Sequence, residues 1–549
     1  VLTGALAITA GAGLARGLTA CQPPERSTAS RALTDGEAAR LAVMRLRNVS
    51  DGGAGVRATI GSPGRELRLA GWVNWRQPFV YVSVTAARSA RLTPAGTADP
   101  FRPGQRWAGP GPVEGLVQAV PGVVATRPGS HAANPGKHAT NPGKDAADPR
   151  QVAVVDTRPP RSAPTDGWQV RRMQARSAAS APLDALAALL FTVASDRPDA
   201  ADALARSGAR WLRRDMIDGV PVDVVLGPAV PPAAPATQNT TPSTQNTTQK
   251  QGGQSPQQSR SGSLAAMGGA VRYWLDGRAR VHRLEALLAP DLPARVDLLR
   301  DDKAAPPAIP ALGGHPIAPR EVSRREAVQL AQMRQRNRAT GGGRITLVLP
   351  DRAGTSRATG WVDWRTTAAY LRLTGPGHPP GGTLVRADRY GTATRPASGR
   401  NDRPPLPPPT GGWRLAPWSA GGDAQGAFDL ELLLNELLAL SAPERDPVRV
   451  VRARAARLRA DELRNRPVAV YEVPKLAERG VGRGQARMRY WLGRDGVLRR
   501  LELRTRGGGF AQLDVVPGRV PPLPMITAAG GAPVETHTSR GRVRDRGGR

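Results

Sequence analysis

Cysteine is all but missing. Among 549 residues there is one, Cys21, which excludes an intramolecular disulfide and any redox chemistry that needs a cysteine pair. Histidine is scarce as well, and its six positions are His131, His138, His282, His315, His378 and His537. Four of them fall in low-complexity, linker or tail sequence, too few convergent ligands for a metal site. No Gly-x-Ser-x-Gly, His-Glu-x-x-His or phosphate-loop pattern occurs, so the corresponding nucleophile, zinc and nucleotide chemistries have no residues to run on. The expectation is a protein that is not an enzyme, with no cofactor and no metal. Lysine is short too: of 78 basic residues five are Lys. Arg over Lys with abundant Ala, Gly and Pro is what a GC-rich genome writes. That bias does not explain the net charge of +33, a positive field suited to anionic partners such as acidic lipid or an anionic envelope polymer. Nucleic acid is not expected, because the Arg residues are interleaved with acids and no zinc-finger or RNP motif appears.

What the chain has is itself, twice. Glu37-Ala-Ala-Arg-Leu-Ala-Val-Met-Arg-Leu-Arg-Asn48 returns as Glu326-Ala-Val-Gln-Leu-Ala-Gln-Met-Arg-Gln-Arg-Asn337, and Gly71-Trp-Val-Asn-Trp-Arg76 as Gly360-Trp-Val-Asp-Trp-Arg365. Both pairs are 289 residues apart (326 − 37 and 360 − 71), so no gap separates the two motifs. Further on, Leu116-Val-Gln-Ala answers Leu384-Val-Arg-Ala, and Arg272-Tyr-Trp-Leu275 answers Arg489-Tyr-Trp-Leu492. Eight of the eleven Trp form four matched pairs, Trp72/Trp361, Trp75/Trp364, Trp168/Trp413 and Trp274/Trp491. The rarest side chain does not fall twice into one order by chance; this is a tandem duplication.

Each copy opens on a capping box, Thr34…Glu37 or Ser323…Glu326, followed by an apolar face at helical spacing. Alternating strands follow, such as Val56-Arg-Ala-Thr-Ile60 and Val80, Val82, Val84 with Tyr81 and Ser83 opposite. Next come a Leu-rich helix over 183–194 or 428–440 and a second run of strands. The order helix, strands, helix, strands predicts an α+β fold with a curved, largely antiparallel sheet wrapped round helices. The divisions expected are an N-terminal leader over 1–21, a tether over 22–32, copy one over 33–300, a linker over 301–320, copy two over 321–518 and a disordered basic tail over 519–549. Copy one alone carries two low-complexity insertions, near 129–150 and 228–263, expected to be disordered.

A curved sheet folded over helices encloses apolar volume. The residues expected to line a groove there are Val82, Val84, Leu186 and Leu190 in copy one and Leu371, Leu373, Leu433 and Leu437 in copy two. The matched Trp residues admit two readings: core filling, or the wall of an acyl-chain groove with the indole N–H at its rim. Matched carboxylates, Glu37/Glu326, Asp215/Asp461, Glu285/Glu502 and Asp297/Asp514, read most simply as helix caps or partners of nearby Arg.

The apolar run from Val1 to Leu14 has the length of a signal-peptide core and leads into Leu18-Thr19-Ala20-Cys21. Those four residues resemble the bacterial lipobox, which implies an acylated Cys21 and a leader cut before it. Lipobox, helix motif, Gly-Trp-Val-(Asn/Asp)-Trp-Arg strand and Arg-Tyr-Trp-Leu strand together resemble actinobacterial lipoproteins of the LolA-like class, of the LppX/LprG type. The resemblance covers both copies and departs from the class in being tandem. It implies two half-barrel sheets wrapped around helices and an apolar cavity for a lipid or lipoglycan. It also implies a protein lipid-anchored on the outer, extracytoplasmic face of the cytoplasmic membrane. The alternative is an envelope scaffold or sensor binding protein or anionic wall polymer. A long apolar tunnel would favour the carrier, a filled interior the scaffold.

Overall fold

The computed structural model describes residues 30–63, 66–86, 114–129, 158–174, 181–229, 270–303, 305–351, 354–399, 401–419, 429–475, 478 and 480–523. Cys21 with Leu18, Thr19 and Ala20, the two insertions beyond their first residues, and the tail past 523 lie outside them.

Two twelve-stranded antiparallel sheets are present. The first holds β1 (Arg31–Ala32), β2 (Gly53–Ile60), β3 (Leu67–Asn74), β4 (Phe79–Ala86), β5 (Gly115–Val120), β6 (Val123–Pro128), β7 (Gln169–Arg172), β8 (Arg210–Ile217), β9 (Val220–Pro228), β10 (Ala270–Asp276), β11 (Val281–Ala289) and β12 (Leu292–Leu299). The second holds β13 (Arg320–Glu321), β14 (Gly342–Asp351), β15 (Gly354–Asp363), β16 (Ala368–Thr374), β17 (Thr383–Asp388), β18 (Gly391–Pro396), β19 (Arg414–Pro417), β20 (Ala456–Leu463), β21 (Arg466–Glu472), β22 (Met488–Gly493), β23 (Leu498–Arg504) and β24 (Phe510–Pro517). The spatial order β1-β8-β9-β10-β11-β12-β2-β3-β4-β5-β6-β7 is repeated strand for strand as β13-β20-β21-β22-β23-β24-β14-β15-β16-β17-β18-β19. In each copy the last strand pairs with the first long one, β12 with β2 and β24 with β14, which joins two meanders into one sheet. Neither sheet closes into a barrel: β1 and β7, or β13 and β19, stand at opposite ends of the order.

The duplication is thus one of topology as well as of words. The 289-residue spacing carries β2, β3 and β4 onto β14, β15 and β16, with Trp72 opposite Tyr81 and Trp361 opposite Tyr370. Both capping boxes form, and the first helix runs Asp35–Asp51 in copy one; in copy two it is divided at Gln332 into Arg324–Ala331 and Met333–Thr340. At Gly71 and Gly360 the neighbouring strand comes so near that a Cβ would lie 2.0 Å from the carbonyl oxygen of Tyr81 or Tyr370. Only glycine fits there, and this is why both copies begin their Trp motif with it.

Two sequence expectations need correction. The residues Arg31–Ala32, assigned to the tether, are strand β1. The face of β4 opposite Val80, Val82 and Val84 is not open to water at its centre, since Tyr81 is completely buried. The short helices Ala201–Arg206 and Val448–Arg454 went unpredicted; six or seven residues are too few for a periodic signal to stand out.

The sheets are covered on both faces. Inward, Val56, Ile60, Leu69, Val80, Val82 and Val84 meet helix residues Leu41, Met44, Leu186 and Leu190 in the main core of copy one. Copy two repeats this with Ile345, Leu371, Leu373, Leu433 and Leu437. Outward, aromatic clusters cover the strands: Trp72, Phe79, Tyr81 and Trp168 in copy one, and Trp361, Tyr370 and Trp413 in copy two. The linker is packed rather than loose. Its Ile309 and Leu312, in and beside a 3-10 turn at Pro310–Leu312, bury themselves in the outer cluster of copy one.

Candidate ligand-binding layer

All eight expected groove residues meet where the Leu-rich helix crosses the inner sheet face. Val82, Val84, Leu186, Leu190, Leu371, Leu373, Leu433 and Leu437 are 0 to 3% exposed and belong to the two main cores. The helices above them, Pro182–Thr192 and Asp429–Ala439, are Leu-rich along most of their length. Three clefts in the described residues lie elsewhere, and none is lined by any of the eight. Side chains fill the layer.

Each Leu-rich helix is fixed by polar bonds at both ends. At the C-terminal end the bonds are the same in the two copies. The Trp75 indole N–H donates to the Leu190 carbonyl at 3.0 Å and that of Trp364 to the Leu437 carbonyl at 3.3 Å. The Asn48 amide donates to the Val193 carbonyl at 2.6 Å and the Asn337 amide to that of Leu440 at 3.1 Å. At the N-terminal end the copies differ. Arg171 forks onto Asp184 at 2.5 and 2.8 Å, whereas Arg487 reaches Asp429 at 2.9 Å. Glu436, mid-helix in copy two, accepts from the Tyr490 hydroxyl at 2.7 Å and pairs with Lys475 at 2.9 Å.

Only one of the four Trp pairs therefore faces the layer. Trp75 and Trp364 lie in the main cores, while the other three pairs fill outer-face clusters. The indoles of Trp168 and Trp413 donate four residues back, to the carbonyls of Pro164 and Pro409. Trp274 donates to Asp215 at 2.9 Å, while the Trp491 indole N–H is buried with no partner. Core filling describes these residues better than a groove wall.

The matched carboxylates are engaged with arginine or indole. Glu37 is held at about 2 by the Arg31 guanidinium and the Thr34 N–H and hydroxyl. Burial alone would raise Glu326, but Arg320 and Ser323 bring it too to about 2. Asp297 pairs with Arg283 and Asp514 with Arg500. Burial pushes the unpartnered hydroxyls of both Tyr81 and Tyr370 up to about 12, so they stay neutral. His282 sits 3.2 Å from Asp276 and His378 3.2 Å from the Thr383 hydroxyl. Among the described residues no three His, Cys, Asp or Glu are grouped to hold a metal ion.

No family model and no curated protein matches the chain. Among solved structures it is similar to a LolA superfamily protein from Nitrosomonas europaea, at 10% identity and a TM-score of 0.18, over 37% of this chain and 96% of that one. It is similar also to a candidate outer-membrane lipoprotein-sorting protein domain from Vibrio parahaemolyticus, at 11% identity and a TM-score of 0.18, over 35% of this chain and 91% of that one. At these values neither likeness carries a family or a function over to this chain.

Proposed function

We propose that this is a non-catalytic protein of the cell envelope, tethered through acylated Cys21 to the outer face of the cytoplasmic membrane. In this reading it binds or carries a lipid or acylated glycolipid in the layer beneath its Leu-rich helices. The observation that carries this is the layer itself, built twice: a discrete apolar helix laid on the inner face of an open sheet, with all eight expected residues on the contact. The resemblance of the lipobox and strand motifs to LolA-like lipoproteins points the same way.

Because the layer is filled, an acyl chain enters only if the helix moves. The matched Trp and Asn bonds form a pivot at its C-terminal end, and the Arg171–Asp184 or Arg487–Asp429 pair forms a latch at the other. A chain that removes about 300 Å² of apolar surface from water gains roughly 7 kcal/mol before ordering costs, which leaves room to open a latch. Native mass spectrometry of the Cys21→Ser chain should find co-purified lipid. Arg171→Ala and Arg487→Ala should increase uptake while circular dichroism stays unchanged. A chain that takes up nothing from an envelope lipid extract, with the latches cut, loses this reading. The filled interior is the specific observation that favours the second one, a scaffold or sensor binding through its Arg-rich surface.

A further inference from the structure

The outer face of copy one holds a carboxylate that copy two does not. The Trp72 indole N–H donates to Asp302 at 3.0 Å, and Arg158 holds the other oxygen of the same carboxylate at 2.5 Å. Asp302 comes from the linker, and it fits because residue 55 is glycine: a Cβ there would lie 3.0 Å from the Asp302 oxygen. Arg158 opens the run Arg-Pro-Pro-Arg-Ser-Ala-Pro-Thr-Asp-Gly-Trp168, and Arg403 opens its counterpart Arg-Pro-Pro-Leu-Pro-Pro-Pro-Thr-Gly-Gly-Trp413. Arg403 is therefore the partner of Arg158 in the duplication, as Trp361 is of Trp72. The position matching Asp302 across the paired last strands is Arg519, and the one matching Gly55 is Arg344.

In copy two these residues surround an open cleft. Arg344, Arg403, Arg464, Thr346, Thr359 and Trp361 line a space of about 240 Å³. Among the described residues no carboxylate lies within ion-pair distance of Arg344 or Arg403, and the Trp361 N–H has no acceptor. Arg464 reaches Asp514 only at 3.4 Å, and that carboxylate is already held by Arg500 at 2.5 Å. A second cleft shares Arg403 and Pro404 and is lined further by Arg372, Ser398, Asn401 and Asp402. Arg372 is 2% exposed and its Nε is buried with no partner. Asp402 is the one acid on either wall, against four arginines.

We propose that the cleft over Trp361 binds the carboxylate of a separate ligand, in the place that Asp302 fills in copy one, with Arg403 and the Trp361 N–H as its principal donors and Arg344 as an added positive charge. Charge-assisted bonds from a guanidinium are the strong kind, and the same pair of donors already holds a carboxylate elsewhere in this molecule. The polar second cleft gives the rest of the ligand, a hydroxylated or amide-bearing stem, somewhere to lie. Neither statement depends on the lipid layer.

The experiment is isothermal titration calorimetry of the Cys21→Ser full chain with succinate and, separately, with inorganic phosphate. The same titration is run on the chain carrying E535Q and D545N, so that neither of those two side chains can compete for the site. One equivalent of succinate should bind to one or both chains. Arg403→Ala and Trp361→Phe should each weaken it, Arg403→Ala by about tenfold or more, and Arg214→Ala on the exposed far strand should leave it unchanged. No binding in either chain, equal weakening by Arg214→Ala, or phosphate bound more tightly than succinate would each overturn the proposal.

Discussion

The Arg-Tyr-Trp-Leu strand places one ion pair at the same register in both copies, and the two pairs live in different solvents. Arg272 and Glu285, opposite each other on β10 and β11, have side chains 57% and 31% exposed. Arg489 and Glu502, opposite each other on β22 and β23, are 5% and 1% exposed. The strands are the same; the cover is not. In copy two, Phe510 stacks on Arg489 with the guanidinium carbon 4.2 Å from the ring centre, and Gly313 of the linker closes over both. In copy one the position of Phe510 is Pro293, and a cleft of about 400 Å³ stands open there. Burial lowers Arg489 to about 10 and raises Glu502, each resisting its charged form. The linker reverses the contrast on the other outer site, covering Trp72 of copy one and leaving Trp361 of copy two beside a cleft. One linker serves two outer faces, so each copy has one of its two sites sealed and the other open. Duplication repeats the fold; what packs against it decides which site is available.

The comparison breaks first at the pivot. Trp75 and Trp364 are 2% and 0% exposed and make the same bond to the same helix end. Trp75→Ala and Trp364→Ala should each cost about 3 to 5 kcal/mol, equally, in urea denaturation followed by circular dichroism. A large inequality would mean that one copy does not depend on its pivot.

The ion pairs should separate where the pivots agree. Glu502→Ala strands Arg489 in a dry site and should cost about 3 kcal/mol, with Gln512, which donates to Glu502 at 3.2 Å, losing its acceptor as well. Glu285→Ala removes a solvated partner and should cost less than about 1 kcal/mol. Equal effects in the same denaturation assay would show that the linker's cover has no energetic consequence.

Much of this architecture was legible because it is written in local rules. The capping boxes, the alternation of Val80, Val82 and Val84, and the ungapped spacing that superposes β2 to β4 on β14 to β16 all act over a few residues, and repetition doubled each signal. Placement of Val82, Val84, Leu371 and Leu373 followed from the same alternation, and that of Leu186, Leu190, Leu433 and Leu437 from the Leu-rich helices. What the outer face does was not legible. Tyr81 and Trp72 look like the wet side of a half-buried strand until Ile309 and Leu312 arrive from more than two hundred residues away. No local pattern announces that Gly55 makes room for Asp302 or that Arg344 takes that room away. Whether a concave face is filled or hollow is likewise a matter of volume, which periodicity does not measure.

The smallest expected difference concerns the first helices. Glu37 and Glu326 cap them identically, but Glu37 has Arg31 alone, itself stacked 4.5 Å over Trp211, while Glu326 has both Arg320 and Arg457 at 2.8 and 2.9 Å. Arg457 stands where copy one has that Trp. Both carboxyls are depressed to about 2, against about 4.3 in an unfolded chain. The sign follows: above pH 5 both states are ionised and the stabilisation is complete. As pH falls from about 4.3 to 2 the unfolded chain takes up protons that the native one refuses, and stability drops. Glu37→Gln and Glu326→Gln keep an acceptor for the helix cap but lose the charged partner, so each should cost about 1 kcal/mol or less at pH 7, Glu326→Gln the more. In thermal melts taken from pH 7 down to pH 2 the double variant should show a shallower acid limb than the wild type. An unchanged limb would mean that other carboxylates, and not the two matched caps, carry the acid sensitivity of this chain.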